Sequence, residues 1–369
     1  MPHWPDTRLA DRLGIVHPIL LAPMAGAAGP ELAIAVARAG GLGALPCAML
    51  DADTIHRQVA AYRAAVQAPL NLNFFCHASP LPDAAREARW RERLAPYYAE
   101  LALEPDAAAP VSQRTPFDAA LCALVESLRP EVVSFHFGLP AAGLLDRVKA
   151  SGALVIASAT TVAEAVWLAA RGCDAIIAQG AEAGGHRGMF LADEASTQVG
   201  LFSLLPQVAD AVSVPVIAAG GVADARGIVA ALALGAAAVQ IGTAYLLSEE
   251  ARISPLHRAA LQSPRAAETA ITNLFTGRPA RGIVNRLMRE LGPINDAAPA
   301  FPTAGNALAP LRTRACALGS DDFIALWAGQ SAPLARALPA EALTRQLAAQ
   351  ALDRLQACVS KRDEGGIHH

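Results

Sequence analysis

The chain has 369 residues, 53% of them hydrophobic and 17% charged, with 30 Lys+Arg against 33 Asp+Glu and a formal net charge of −3. So even a balance leaves no basic stripe for phosphate neutralisation, which argues against nucleic-acid binding, and the composition excludes disorder, collagen and coiled coil. A chain this long buries a large core, either as two domains or as one barrel-sized domain with an appendage.

The opening Met1-Pro2-His3-Trp4-Pro5-Asp6 has neither the basic start nor the apolar centre of a signal peptide. From there, short apolar runs alternate with longer Ala/Leu-rich stretches. The runs Pro18–Ala22, Leu42–Leu45, Leu70–Phe75, Val132–Phe135, Leu154–Ala157, Ala175–Ala178, Val214–Ala218 and Ala238–Ile241 are mostly apolar on consecutive positions, as strands covered on both faces must be. Between them the pattern predicts helices over Pro30–Ala39, Asp51–Val66, Pro116–Leu128, Ala141–Ala150, Thr161–Arg171, Leu204–Ala211 and Asp224–Leu234. Several open on a capping residue or an early Pro, and several stop at Gly40, Gly152, Gly172 or Gly235. Eight strand–helix repeats point to parallel βαβ units closed into an α/β (β/α)8 TIM barrel, with a doubly wound sheet as the rival.

Residues 1–248 would hold the barrel, interrupted by an insertion over 77–115 that carries a charged helix at Ala84–Arg93 and a Pro/Ala-rich tail. The Arg- and Pro-rich stretch 249–320 predicts a small, mostly helical subdomain over the site. Residues 321–369 predict C-terminal helices that complete the barrel. The stretch Gly227–Ser248 is uncharged and long enough to ask about a membrane span. Gly235, Gln240, Gly242 and Thr243 break it into a buried helix, a turn and a buried strand instead. The six cysteines form no CxxC and no Cys/His cluster, so neither a metal site nor a disulfide framework is expected. A cytoplasmic protein with reduced thiols is the expectation; His368-His369 is assigned no function.

In such a barrel the site lies at the carboxyl ends of the strands, and phosphate is commonly held after the last two. The last two runs lead into Gly220-Gly221 and Gly242-Thr243, where glycine lets backbone N–H groups approach a phosphate and a following helix N-terminus adds its dipole. The same glycine pair would also serve a tight left-handed turn. The first run continues into Ala22-Pro23-Met24-Ala25-Gly26, a wall suited to a flat ligand or an ordinary turn. Asn71 and Asn73 share one strand face, and an Asn there could read the heteroatom edge of a flavin. The loop Gln179–Gly188 holds four glycines, with Gln179 and His186 as its plausible polar contacts; Glu182 and Arg187 are expected to pair with each other or with solvent. His186 is the side chain placed to exchange a proton near pH 7. His136, in Ser134-Phe135-His136-Phe137-Gly138, is a second candidate, as a substrate contact or as packing.

Taken together, PILLAPMAG…GGLGA (18–44), Asn73-Phe74, SFHFG (134–138), QGAEAGGHRG (179–188), IAAGG (217–221), QIGT (240–243), TGRPARGIVN (276–285) and LWAGQ (326–330) resemble the nitronate monooxygenase family of FMN-dependent (β/α)8 barrels. The resemblance implies that Ala22, Pro23, Met24, Asn73, Gln179, Gly184, Gly220, Gly221, Gln240, Ile241, Gly242 and Thr243 contact FMN and that His186 is the catalytic histidine. It would take an α-proton from a nitroalkane or orient the anionic nitronate. Electron transfer to FMN and capture by oxygen would give a carbonyl compound and nitrite or nitrate. Partners would be a nitronate or nitroalkane and oxygen, with no nucleic acid and no membrane, and a homodimer as one admissible assembly.

Family members often line the substrate pocket with tyrosines and a lysine from the later part of the chain. Here no Tyr follows Tyr245, and the Lys residues are Lys149 and Lys361. The insertion offers Tyr97 and Tyr98 as lid candidates instead. Two other functions fit the same pattern: an FMN barrel reducing quinones or enoyl thioesters with NAD(P)H, and a flavin-holding barrel without catalysis.

Overall fold

Each apolar run forms a strand because its consecutive β-branched, Leu and Ala side chains can be buried on both faces of a sheet. The computed structural model describes residues 3–104, 114–192 and 194–364. The strands of the barrel are β1 (Ile19–Leu21), β2 (Gly43–Pro46), β3 (Leu70–Phe75), β4 (Val132–His136), β5 (Leu154–Ala159), β6 (Ala175–Gln179), β8 (Val216–Ala219) and β9 (Ala238–Ile241). They pair in parallel in the order β1-β9-β8-β6-β5-β4-β3-β2. Hydrogen bonds between Leu21 N and Leu42 O and between Leu42 N and Ile19 O close the ring. The eight-fold strand–helix reading therefore stands, and the doubly wound sheet does not.

Side chains alternate as the pleat demands. Leu20, Val132, Ile156, Ile177 and Ile217 point inward and pack with Leu9, Ala10 and Leu13 of α1 (Arg8–Leu13), a helix that plugs the amino-terminal end. An ion pair from Arg12 to Asp174, next to the start of β6, ties it there. Ile19, Leu21, Val133, Phe135 and Ile176 point outward beneath the helices.

The helical layer consists of α2 (Pro30–Arg38), α3 (Ala52–Ala65), α5 (Ala119–Leu128), α6 (Ala142–Ala150), α7 (Val162–Ala170), α8 (Leu201–Ala211) and α9 (Ala225–Ala233). Asp51, Thr161 and Asp224 accept from backbone N–H groups at the first turns of α3, α7 and α9, as their places at the expected helix starts suggest, and Asp118 does the same for α5, two residues after the expected start at Pro116. The eighth position is filled from far along the chain by α13 (Ala340–Glu364), which packs against α9 and α2.

Between β9 and α13 the chain makes α10 (Pro255–Leu261), β10 (Thr269–Thr272), β11 (Ala280–Ile283), α11 (Arg286–Leu291) and α12 (Ala304–Ala317). The hairpin β10–β11 pairs with β7 (Gly185–His186), a two-residue strand inside the loop after β6, to form a second antiparallel sheet. In the insertion, α4 (Ala84–Glu100) runs past the expected Arg93 end and through Pro96, because it docks on α12. Trp90 Nε1 donates to Ala304 O, and Tyr98 Oη donates to Ala307 O. Residues 321–339 depart from expectation: apart from the short turn Ala332–Leu334 they form no helix. Gly329, Pro333 and Pro339 disfavour one, and the segment runs beside Gly282 and Thr243 instead. Among the described residues, no helix is long and apolar enough to cross a membrane.

Candidate active site

At the carboxyl ends of the strands a cavity of about 190 Å³ brings together residues from almost every barrel loop. Its lining includes Ala22, Pro23, Met24, Asn73, His136, Gln179, Gly184, His186, Gly220, Gly221, Gln240, Gly242 and Thr243. Ile241 is the exception among the sequence candidates. By the alternation of β9 its side chain faces outward into the core, whereas Gln240 faces the lumen.

One end of the cavity is built from backbone. Gly220 and Gly221 have φ of +103° and +72°, and a Cβ on Gly220 would lie 3.0 Å from Ala183 N. A side chain there would be strained by the backbone conformation and crowded by its neighbours. The neighbouring turn is held by its own hydroxyl: Thr243 Oγ1 accepts from Gly329 N at 3.0 Å, while Ser331 Oγ donates to Gly221 O at 2.7 Å. The segment 326–331 thereby clasps both glycine turns. Gly184 has a packing duty as well, since a Cβ there would meet Gly329 N at 2.5 Å.

The middle of the cavity is walled by Ala22–Ala25, and a Cβ at Gly242 would press on Ala22 Cβ at 3.3 Å. Asn71 and Asn73 both face inward, so alternation could not separate them; depth does. Asn73 lines the cavity and donates to Ser134 Oγ at 2.9 Å, whereas Asn71 lies deeper and is 1% exposed. Gln240 Oε1 is buried with no hydrogen-bond partner among the described residues.

The far end is built from side chains. His186 Nε2 lies 2.9 Å from Thr276 Oγ1. The His186 carbonyl accepts from Gln179 Nε2 at 3.0 Å and from His136 Nε2 at 3.3 Å, while Gln179 Oε1 accepts from Gly188 N at 2.7 Å. Because a carbonyl only accepts, His136 carries its proton on Nε2, and its Nδ1 accepts from Ser158 Oγ at 3.0 Å. Both nitrogens of His136 are therefore committed to protein partners, which favours the packing reading of that residue over a substrate contact through nitrogen.

Around the His186 imidazole stand Phe301, Trp327, Phe137 and Phe75, with ring centroids 5.4, 5.6, 5.9 and 6.3 Å away. Phe137 holds a left-handed φ of 70°, a conformation that costs a non-glycine residue about 1–3 kcal/mol, and the Arg278 guanidinium lies 4.1 Å over its ring. Burial, reinforced by Arg114, His136, Arg278 and His77, holds His186 well below the ordinary histidine value. Burial also pushes His136 down to about 3 and His77 down to about 4. The site therefore presents neutral imidazoles in a field of positive charge.

Two expectations are corrected. Arg187 does not pair with Glu182: it is fully buried and donates to Gly180 O, Gln179 O and Gln198 Oε1, while Glu182 accepts from Leu201 N. The reason is that the loop after β6 folds back on itself and leaves carbonyls that need a donor. Tyr97 and Tyr98 do not reach the cavity; they pack with Phe323 and Ala307 in the α4–α12 cluster. From the insertion it is Arg114 that lines the cavity. Thr276 and Trp327 stood in recognisable motifs without an assigned role, while Phe75, Ser158 and Phe301 gave no local signal at all.

Known proteins resemble this chain over nearly its whole length. A family model described as nitronate monooxygenase matches residues 6–350. A nitronate monooxygenase from Pseudomonas aeruginosa is 42% identical over 346 residues, covering 92% of this chain and 97% of that protein. Among solved structures, nitroalkane oxidase from Streptomyces ansochromogenes superposes with a TM-score of 0.86 at 39% identity, over 95% of this chain and 99% of that one. FabK from Thermotoga maritima superposes with a TM-score of 0.72 at 27% identity, over 97% and 100%. The chain belongs to the nitronate monooxygenase family of enzymes.

Proposed function

We propose that the protein binds FMN in this cavity and oxidises nitronates with oxygen, giving a carbonyl compound and nitrite or nitrate, with His186 as base or orienting group. The observation that carries the reading is the two-ended cavity: glycine turns of β8 and β9 at one end, and His186 inside an aromatic cage at the other. The residues fit the group. The turns at Gly220-Gly221 and Gly242-Thr243 suit a phosphate, the wall Ala22–Met24 suits a flat ring, and the unpartnered Gln240 Oε1 suits a ring N–H. When bound, the flavin supplies the one-electron and oxygen chemistry that no side chain performs.

The protein's own groups then divide the remaining work. Arg114 and Arg278 favour an anion beside the imidazole, which matches a nitronate better than a neutral nitroalkane. His186, neutral at pH 7, can accept an α-proton from a nitroalkane; for a preformed nitronate it needs only to hold the anion in place. Phe75, Phe301 and Trp327 limit water around it.

The test is direct. The purified protein should carry a yellow chromophore that denaturation releases as FMN. Mixed anaerobically with propionate 3-nitronate, its flavin absorbance should bleach, and NADH or NADPH should bleach it far more slowly. Rapid bleaching by a nicotinamide with none by nitronate would replace this reading with a reductase.

A further inference from the structure

The stretch Thr276–Ile283 touches the His186 loop residue by residue. Pro279 O accepts from Arg187 N at 2.9 Å, Ala280 pairs with His186 across the small sheet, and Arg281 Nε donates to Ala181 O at 2.9 Å. These contacts hold the backbone. Thr276 reaches the imidazole itself, with Oγ1 2.9 Å from Nε2, and it is 3% exposed, so water does not compete for it.

A threonine hydroxyl has one proton and two lone pairs. Thr276 Oγ1 lies 3.4 Å from Arg278 O, which can only accept, and takes one N–H from Arg278 N at 3.5 Å, which leaves its second lone pair for the ring. With the proton given to that carbonyl, Oγ1 turns a lone pair to the ring, and Nε2 must be the protonated nitrogen. Nδ1 then keeps its lone pair.

We propose that Thr276 is a positioning residue that locks His186 as the Nε2–H tautomer through the chain Nε2–H···Oγ1–H···O=C of Arg278, leaving Nδ1 as the nitrogen that meets the substrate. The proposal rests on the reading of His186 as the reacting side chain. When a neutral nitroalkane is the substrate, its C–H bond breaks, an N–H bond forms at Nδ1, and the electron pair stays with the nitro group as nitronate. The imidazolium keeps its Nε2 proton on Thr276 throughout. A carboxylate in the same place would orient the ring but also stabilise its cation. The hydroxyl orients without adding charge, so the ring returns its proton readily.

The experiment is nitrogen NMR on FMN-loaded protein with ¹⁵N-labelled histidine, the His186 signals being identified by their loss in His186→Asn. Wild type and Thr276→Ser should show a single tautomer, Nε2 protonated and Nδ1 not. Thr276→Val should show both tautomers exchanging, with kcat for a neutral nitroalkane down about tenfold and KM little changed, as loss of one hydrogen bond implies. Thr276→Ser should restore the rate. Protonated Nδ1 in wild type, or a Thr276→Val protein with unaltered tautomer and rate, overturns the proposal. If Thr276→Val fails to fold, the wild-type and Thr276→Ser spectra decide the tautomer by themselves. Full activity in His186→Asn would instead sink the catalytic reading of His186 and leave the tautomer assignment measurable.

Discussion

The two ends of the cavity are built on different principles. At the β8–β9 end, backbone does the work: Gly220, Gly221 and Gly242 bring the main chain close, and Thr243 and Ser331 brace it from the side. At the His186 end, side chains do the work, and they come from widely separated parts of the sequence. Phe75 ends β3, Phe137 follows β4, Thr276 precedes β11, and Phe301 and Trp327 flank α12. A phosphate is recognised by a local turn, whereas a buried imidazole has to be caged, oriented and kept neutral by partners that only the fold assembles.

Breaking the side-chain end should have the largest effect on turnover. His186→Asn should retain FMN yet lose about 10²- to 10⁴-fold in kcat on a neutral nitroalkane, and less on the preformed nitronate. Equal losses on both substrates would remove the base and leave only an orienting role.

The same end should also make the fold acid-labile. Burial keeps His136 near 3 and His77 near 4, and holds His186 low as well. The unfolded chain takes up protons at these residues near pH 6.5, while the folded chain does not until well below that. Their contribution is therefore fully present above about pH 6.5 and declines as the pH falls, by up to about 1.4 kcal/mol per pH unit for each histidine. Urea midpoints at pH 7, 6 and 5 should fall in that order; a flat series would mean that these imidazoles are already charged in the folded state.

The backbone end is sharpened by Gly220→Val. At φ +103° with Ala183 N 3.0 Å from the new Cβ, the substitution should cost about 1–3 kcal/mol and abolish flavin retention, read by thermal melting and by absorbance after gel filtration. Retained flavin would show that this turn is not part of the cradle. The smallest effect is expected outside both ends. Tyr98→Phe loses the bond to Ala307 O and about 1 kcal/mol of stability, with turnover unchanged. A change in substrate preference would return that tyrosine to the pocket.

The same contrast explains what was legible in the sequence. Barrel strands announced themselves as consecutive apolar runs, and helix starts as Asp51, Thr161 and Asp224, because both signals are local. The glycine turns were visible for the same reason. Strand β7 is only two residues long and exists through its pairing with β11, so no periodicity could reveal it. Arg187 reads as a surface charge until the folded-back loop supplies three acceptors for its guanidinium. Tyr97 and Tyr98 suited a lid by composition, yet the α4–α12 contact turned them into a separate core.

The central claim is that one flavin spans both ends, and a crystal structure of the protein with FMN tests it most directly. The phosphate should lie within hydrogen-bonding distance of the backbone at Gly221 and Gly242-Thr243, with the ring against Ala22–Met24 and its edge beside His186. A flavin phosphate seated elsewhere, or an isoalloxazine ring out of reach of that imidazole, would contradict the account.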